Sequence, residues 1–125
     1  MKAVLHKEFG GPEVLEVSNN VEMPKIDKDE VLIKVHAAGI NRPDILQRSG
    51  GYPPPPGVST ILGLEVSGEI VDVGEDINEN LLNTKVCALV PGGGYAEFVK
   101  CHTSTILPIP KGISITDACT IPETF

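Results

Sequence analysis

Four consecutive prolines, Pro53-Pro54-Pro55-Pro56, stand between Tyr52 and Gly57 near the middle of the chain. Each holds φ near about −65° and lacks a backbone N–H, so the run can join neither a helix nor a central strand. A stiff surface loop is expected. Much of the chain is punctuated in the same manner, with 13 Gly and 11 Pro among 125 residues. That share lies above the roughly 12% of average usage and below the roughly 25–30% of low-complexity chains. Apolar residues make up 41% and charged residues 22%, ordinary proportions for a folded protein, and a chain of this length can bury roughly two-thirds of its unfolded surface. A turn-rich globular domain follows, not a disordered segment.

Short β-type runs lie between the turns. Val4-Leu5 and Val14-Leu15-Glu16-Val17 flank Gly10-Gly11-Pro12 and predict a first antiparallel pair. The run from Glu30 to Ala38 puts Val31, Ile33 and Val35 on one face and Leu32, Lys34 and His36 on the other, as a half-buried strand does. Val66 to Gly74 alternates again, with Val66, Gly68 and Ile70 inward. Lys85–Val90 and Tyr95–Lys100 predict two more strands around Pro91-Gly92-Gly93-Gly94. Pro43 suits a first helical position, and Asp44-Ile45-Leu46-Gln47-Arg48 predicts one or two turns stopped by Gly50-Gly51. Pro108 to Ser114 reads as a linker, after which Ser114 or Thr116 can cap a helix opening at Asp117. The expected fold is mainly β: a partly open β-barrel with one short helix and the start of a further helix at the C-terminus. A chain that stops within a new element after a Pro-rich boundary reads as the N-terminal part of a longer polypeptide.

Ten Lys and Arg against 17 Asp and Glu give a net charge of −7, the wrong sign for attraction to nucleic-acid backbones or anionic lipid. No apolar stretch nears the ~18 residues that span a bilayer, and Lys7-Glu8 interrupts the N-terminus before a signal-peptide core develops. A cytoplasmic protein without nucleic-acid or membrane partners is expected. Cys87, Cys101 and Cys119 are widely spaced, with no Cys-x-x-Cys pair, so they read as reduced small hydrophobes, not a disulfide framework or zinc ribbon. His6, His36 and His102 are dispersed, and Cys101 and His102 would face opposite sides of a strand. Gly92-Gly93-Gly94 leads into a strand-like run, as a turn does, and not into a helix that could cradle phosphate.

A set of ordered motifs then specifies a family. Gly10-Gly11-Pro12-Glu13 is followed by Glu30-Val31-Leu32-Ile33-Lys34-Val35, Gly39-Ile40-Asn41-Arg42-Pro43-Asp44 and Arg48-Ser49-Gly50-Gly51-Tyr52-Pro53. Leu62-Gly63-Leu64-Glu65-Val66-Ser67-Gly68 and Leu107-Pro108-Ile109-Pro110-Lys111-Gly112 complete it. In order and spacing the chain resembles the zinc-independent, zeta-crystallin-like quinone oxidoreductases of the medium-chain dehydrogenase/reductase superfamily. The resemblance implies a GroES-like catalytic domain over residues 1–112 and, over 113–125, the start of the connection to a Rossmann domain. It also implies hydride transfer from NADPH to a small-molecule quinone or α,β-unsaturated carbonyl, in a full-length protein that is a homo-oligomer. The alternative is a non-enzymatic GroES-like structural or chaperone-type module. Where the zinc-dependent branch carries a metal-binding Cys and His, this chain has Asn41 and Leu64, neither of them a competent zinc ligand. Where that branch has a four-cysteine lobe, only Pro91-Gly92-Gly93-Gly94 remains. No zinc is expected, and hydride transfer would depend on positioning and hydrogen bonding. Asn83-Thr84 departs from the family's usual Gly-Asp, implying a looser turn there.

The same resemblance selects the site residues. Asn41, at a strand-to-helix corner, can donate and accept toward a ribose, a nicotinamide amide or a substrate carbonyl, or it simply caps the helix. Tyr52, at the mouth of the proline loop, matches a tyrosine that lies beside the nicotinamide in similar proteins; otherwise it packs the loop against the domain. Arg42 can meet a cofactor phosphate or be an exposed charge. Glu65 is either catalytic or a brace for the cleft. Asn41 and Tyr52 are the expected catalytic residues, and Asn41, Arg42 and Tyr52 the expected cofactor contacts.

Overall fold

The computed structural model describes all residues, 1–125. Strand β1 (Ala3–His6) pairs antiparallel with β2 (Leu15–Ser18) as expected, and forms a sheet of two. A second, five-stranded sheet contains β3 (Glu30–Ala38), β4 (Glu65–Val73), β5 (Lys85–Leu89), β6 (Phe98–His102) and β7 (Ile106–Pro108), in the order β6-β3-β4-β5-β7 and antiparallel throughout. Helix α1 (Arg42–Ser49) and two single turns, α2 (Ile115–Ala118) and α3 (Ile121–Thr124), are the only α-helical segments. None is long and apolar enough to cross a membrane.

Strands β6 and β7 are consecutive in the chain yet occupy opposite edges of the five-stranded sheet. The connection Thr103–Thr105 can span at most roughly 14 Å. The sheet therefore curls until its edges approach at one corner, without a ladder between β6 and β7 to close it. This is the mainly β, partly open architecture expected, with its sheets left open. The core lies within the curl: Val31, Ile33, Val66, Ile70, Val86, Ala88, Val90, Val99 and Cys101 form one buried cluster.

Several elements depart from simple alternation. Along β3 both Leu32 and Ile33 are buried, because register shifts at Leu32/Ile33 and Val35/Ala37 rotate the strand against β4. Strand β6 begins at Phe98, three residues later than expected, because Tyr95 to Glu97 bond instead to the first strand: the Val4 N–H donates to the Tyr95 carbonyl at 2.9 Å and the Glu97 N–H to the Lys2 carbonyl at 3.0 Å. Gly92–Gly94 lies against residues 61–63 through backbone bonds from Gly93 to Ile61 and from Gly94 to Gly63. Strand β7 was not expected; its Pro108, read as linker, is tolerated because β7 is an edge strand.

At the C-terminus the expected single helix is two turns. The Ser114 hydroxyl caps α2 by accepting from the Asp117 N–H at 3.0 Å, and Ala118 and Cys119 are buried. The Ser67 hydroxyl donates to the Ile115 carbonyl. The segment is thus seated on the sheet.

All three cysteines are free and buried. Burial pushes the Cys101 thiol from an ordinary value near 9 up to about 11, with Glu30 adding in the same direction. In the unfolded chain this thiol ionises first, so stability is full below about pH 9 and falls as pH rises toward 11. The contribution lost is about 2–3 kcal/mol. Cys101→Ala is expected to flatten the fall in urea-unfolding free energy between pH 8 and pH 10.5. An unchanged slope in this variant would assign the alkaline loss to other groups.

Candidate functional site

The site is built where β3 turns into α1. Asn41 stands at the N-cap in an extended conformation, Pro43 lies in the first turn, and Gly50 closes the helix in the left-handed conformation with φ of 93°. The Asp44 carboxylate reaches back, its Oδ2 accepting from the Asn41 backbone N–H at 3.0 Å. This is the carboxylate half of a capping box, four positions of chain in which the helix satisfies its own first turn. The Asn41 side chain turns the other way and donates from Nδ2 to Glu65 Oε1 at 2.9 Å. Asn41 is thus the N-cap residue of α1, as one of its two readings expected, and its side-chain amide is pinned by a carboxylate.

Two buried acids frame the corner. Glu65, at the start of β4, is 2% exposed, and its second oxygen accepts from the Glu123 backbone N–H at 2.9 Å. It has room only because position 39 is glycine, since a Cβ there would overlap the carboxylate and lie 2.6 Å from its Cδ. Asp44, also 2% exposed, accepts at Oδ2 from the Tyr95 hydroxyl at 2.6 Å, while Oδ1 has no partner. Burial first, then the hydrogen bond to Asp44, pushes the Tyr95 phenol far above its ordinary value, so Tyr95 is a neutral donor.

Asn41, Glu65, Asp44 and Tyr95 are thus one hydrogen-bonded group. Arg42 and Tyr52 stand outside it. Arg42 is exposed on the first turn of α1, Tyr52 is 39% exposed at the head of the proline loop, and neither makes a side-chain hydrogen bond or ion pair. Asp44 and Tyr95 were not singled out from the sequence. The Asn-x-x-Asp spacing carries a signal for the first, whereas nothing local marks a tyrosine 51 positions away.

No three His, Cys, Asp or Glu side chains converge as metal donors. The residues at the corner do not fit zinc: Asn41 presents an amide nitrogen already committed to Glu65, and Leu64 presents hydrocarbon. They do fit an organic ligand with hydrogen-bonding groups, because one Nδ2 proton is used and its twin is free. A large, mainly apolar groove of about 830 Å³ lies elsewhere, beside β6 and Val58–Ile61, and none of Asn41, Arg42, Tyr52 and Glu65 lines it.

An open antiparallel sheet carrying one short helix after its long third strand is consistent with a GroES-like domain. Residues 27–111 match the family described as the alcohol dehydrogenase GroES-like domain, and the chain belongs to that family. Its relatives are more particular. It is 38% identical over 115 residues to the quinone oxidoreductase of Mus musculus, covering 91% of this chain and 35% of that protein. It is 30% identical to the quinone oxidoreductase of Coxiella burnetii, whose structure superimposes with a TM-score of 0.87 over 98% of this chain and 41% of that one. The quinone oxidoreductase of Escherichia coli, solved in complex with NADPH, gives 28% identity and a TM-score of 0.79 over 95% of this chain and 36% of its own. The chain spans about a third of the length of the curated relatives it matches.

Proposed function

We propose that this chain is the N-terminal, cleft-forming domain of an NADPH-dependent oxidoreductase that reduces quinones or α,β-unsaturated carbonyls without zinc. Residues 1–112 form its GroES-like unit, and 113–125 lead toward a dinucleotide-binding domain. The observation that carries this reading is the pinned Asn41 amide, with one N–H committed to Glu65 and one left to donate. A preset donor of this kind suits a carbonyl or carboxamide oxygen, because its orientation has already been set before a ligand arrives. Relatives described as quinone oxidoreductases, and one in Arabidopsis thaliana described as an NADPH-dependent alkenal/one oxidoreductase at 30% identity, support the substrate class.

When bound, NADPH supplies the hydride. The residues of this chain do the rest on their side of the cleft. Asn41 donates to an acceptor oxygen and holds the ring or carbonyl that bears it. Tyr52 offers an exposed aromatic face for stacking and a hydroxyl for a further hydrogen bond. Arg42 offers an unpaired guanidinium to a phosphate, a contact that matters in a chain whose net charge of −7 repels anions overall.

Tyr52 supplies the test. In the complete oxidoreductase, Tyr52→Phe keeps the stacking surface and removes one hydrogen bond worth about 0.5–1.5 kcal/mol, a loss of roughly two- to tenfold in kcat/KM. Tyr52→Ala loses the ring as well and is expected to be worse. Both are expected to melt close to the unsubstituted protein, since the side chain is exposed and the proline loop is stiff without it. Wild-type kinetics with a quinone acceptor in both variants would reduce Tyr52 to loop packing.

A further inference from the structure

Glu65 sits buried in an acidic chain with no cationic partner; its two oxygens are satisfied by two N–H donors from different parts of the fold. One is the Asn41 side-chain amide at the head of α1, at 2.9 Å, and the other is the Glu123 backbone N–H in the final turn, also at 2.9 Å. The backbone of the same residue accepts from the Gly39 N–H at 3.2 Å, so side chain and main chain grip one corner together. An amide left to itself can turn either its oxygen or its nitrogen toward a ligand. Opposite a carboxyl oxygen that accepts, only the nitrogen side is attractive, so the acid decides which way Asn41 faces. The main-chain N–H of Asn41 is meanwhile held by Asp44, which Tyr95 braces in turn.

The geometry points to Glu65 as a positioning residue that orients the Asn41 amide for its ligand and, through Glu123, ties that orientation to the placement of the C-terminal turn 121–124. It touches no ligand itself. The inference rests on the reading of Asn41 as a cleft residue and extends it: the strut couples the corner to residues 121–124, so a displacement of that turn would be felt at the amide.

Glu65→Gln is the informative substitution because it preserves size and removes the symmetry of the acceptors. A glutamine offers one acceptor and one NH2: with the NH2 toward the Glu123 N–H that end of the strut opens, and with the NH2 toward Asn41 the contact survives only if the Asn41 amide turns its oxygen inward, which reverses the face it offers a ligand. In the complete oxidoreductase, kcat/KM for NADPH-dependent quinone reduction would be measured for E65Q, N41A and the double variant. E65Q is expected to lose about tenfold, and the double variant to be no worse than N41A alone, since a residue acting through Asn41 has nothing left to position. Losses that multiply in the double variant would overturn the positioning role while leaving Asn41 in the cleft. N41A with unsubstituted kinetics would overturn the cleft reading on which the inference rests.

A second measurement does not depend on turnover. In E65Q the Asn41 side-chain amide resonances should shift, the Glu123 amide should exchange faster with solvent, or both; if both remain as in the unsubstituted protein, the strut does not exist. Should E65Q melt far below the unsubstituted protein, E65D keeps the charge and both acceptors but is shorter by one methylene. It is expected to show the same non-additivity with N41A, and additive losses there would be as damaging to the inference.

Discussion

Asp44→Ala is expected to be severely destabilising, and Asp44→Asn markedly less so. Both hydrogen bonds to Asp44, from the Tyr95 hydroxyl at 2.6 Å and from the Asn41 N–H at 3.0 Å, converge on the single oxygen Oδ2, and Oδ1 is buried with no partner. Alanine leaves both donors unsatisfied in a site that is 2% exposed at its centre. At about 1–3 kcal/mol for each stranded group the loss is roughly 4 kcal/mol, which for a chain of this length lowers Tm by roughly 15 °C. Asparagine can keep its oxygen where Oδ2 lies and so retain both donors, but its NH2 then sits at the unpartnered position, so its cost should be about 1–2 kcal/mol, well below that of alanine. Urea unfolding of the two variants checks this. An asparagine variant as unstable as the alanine one would show that the charge itself holds Tyr95 and the head of the helix, and the hydrogen-bond account would then be wrong.

Gly39→Ala is expected to cost about 3 kcal/mol, or roughly 10 °C in Tm, without any strain in the backbone dihedrals. The reason is space: the new Cβ overlaps the Glu65 carboxylate. The acid must swing away, stranding the Asn41 amide and the Glu123 N–H, or the corner must shift, and either route falls within the usual range for overpacking combined with lost buried hydrogen bonds. The glycine and the acid are therefore predicted to be coupled. In a Glu65→Ala background, where the space is already empty, Gly39→Ala should cost less than about 1 kcal/mol. Equal costs in the two backgrounds would mean that Gly39 is required for a reason other than making room.

The local periodicities by themselves determined most of the architecture. The strands over Glu30–Ala38 and Val66–Gly74, the Pro43 to Gly50 bracket around α1, and the Gly-Pro turn between β1 and β2 are governed by contacts within a few residues, and each is present in the fold, although neither strand keeps the expected alternation of buried and exposed faces. The family motifs likewise run in sequence order, which is why Asn41, Arg42 and Tyr52 could be singled out as candidates. Strand β7 escaped because its Pro108 speaks against a strand until an open edge is available beside β5 to receive it. The delayed start of β6 escaped because Tyr95–Glu97 are claimed by a partner at the other end of the chain.

Apart from Asp44, its capping partner three residues on, what surrounds Asn41 was decided by tertiary structure. Asn41 and Glu65 are 24 residues apart, Asp44 and Tyr95 are 51, and Glu65 and Glu123 are 58. No periodicity links such pairs. They meet because an antiparallel sheet brings the start of β4 beside the end of β3, so that a buried carboxylate takes whichever donors the fold leaves within reach. Composition shows that Glu65 and Asp44 are acids; only the packing that removes them from water, with N–H and O–H donors as their sole compensation, makes them determine how the corner is held.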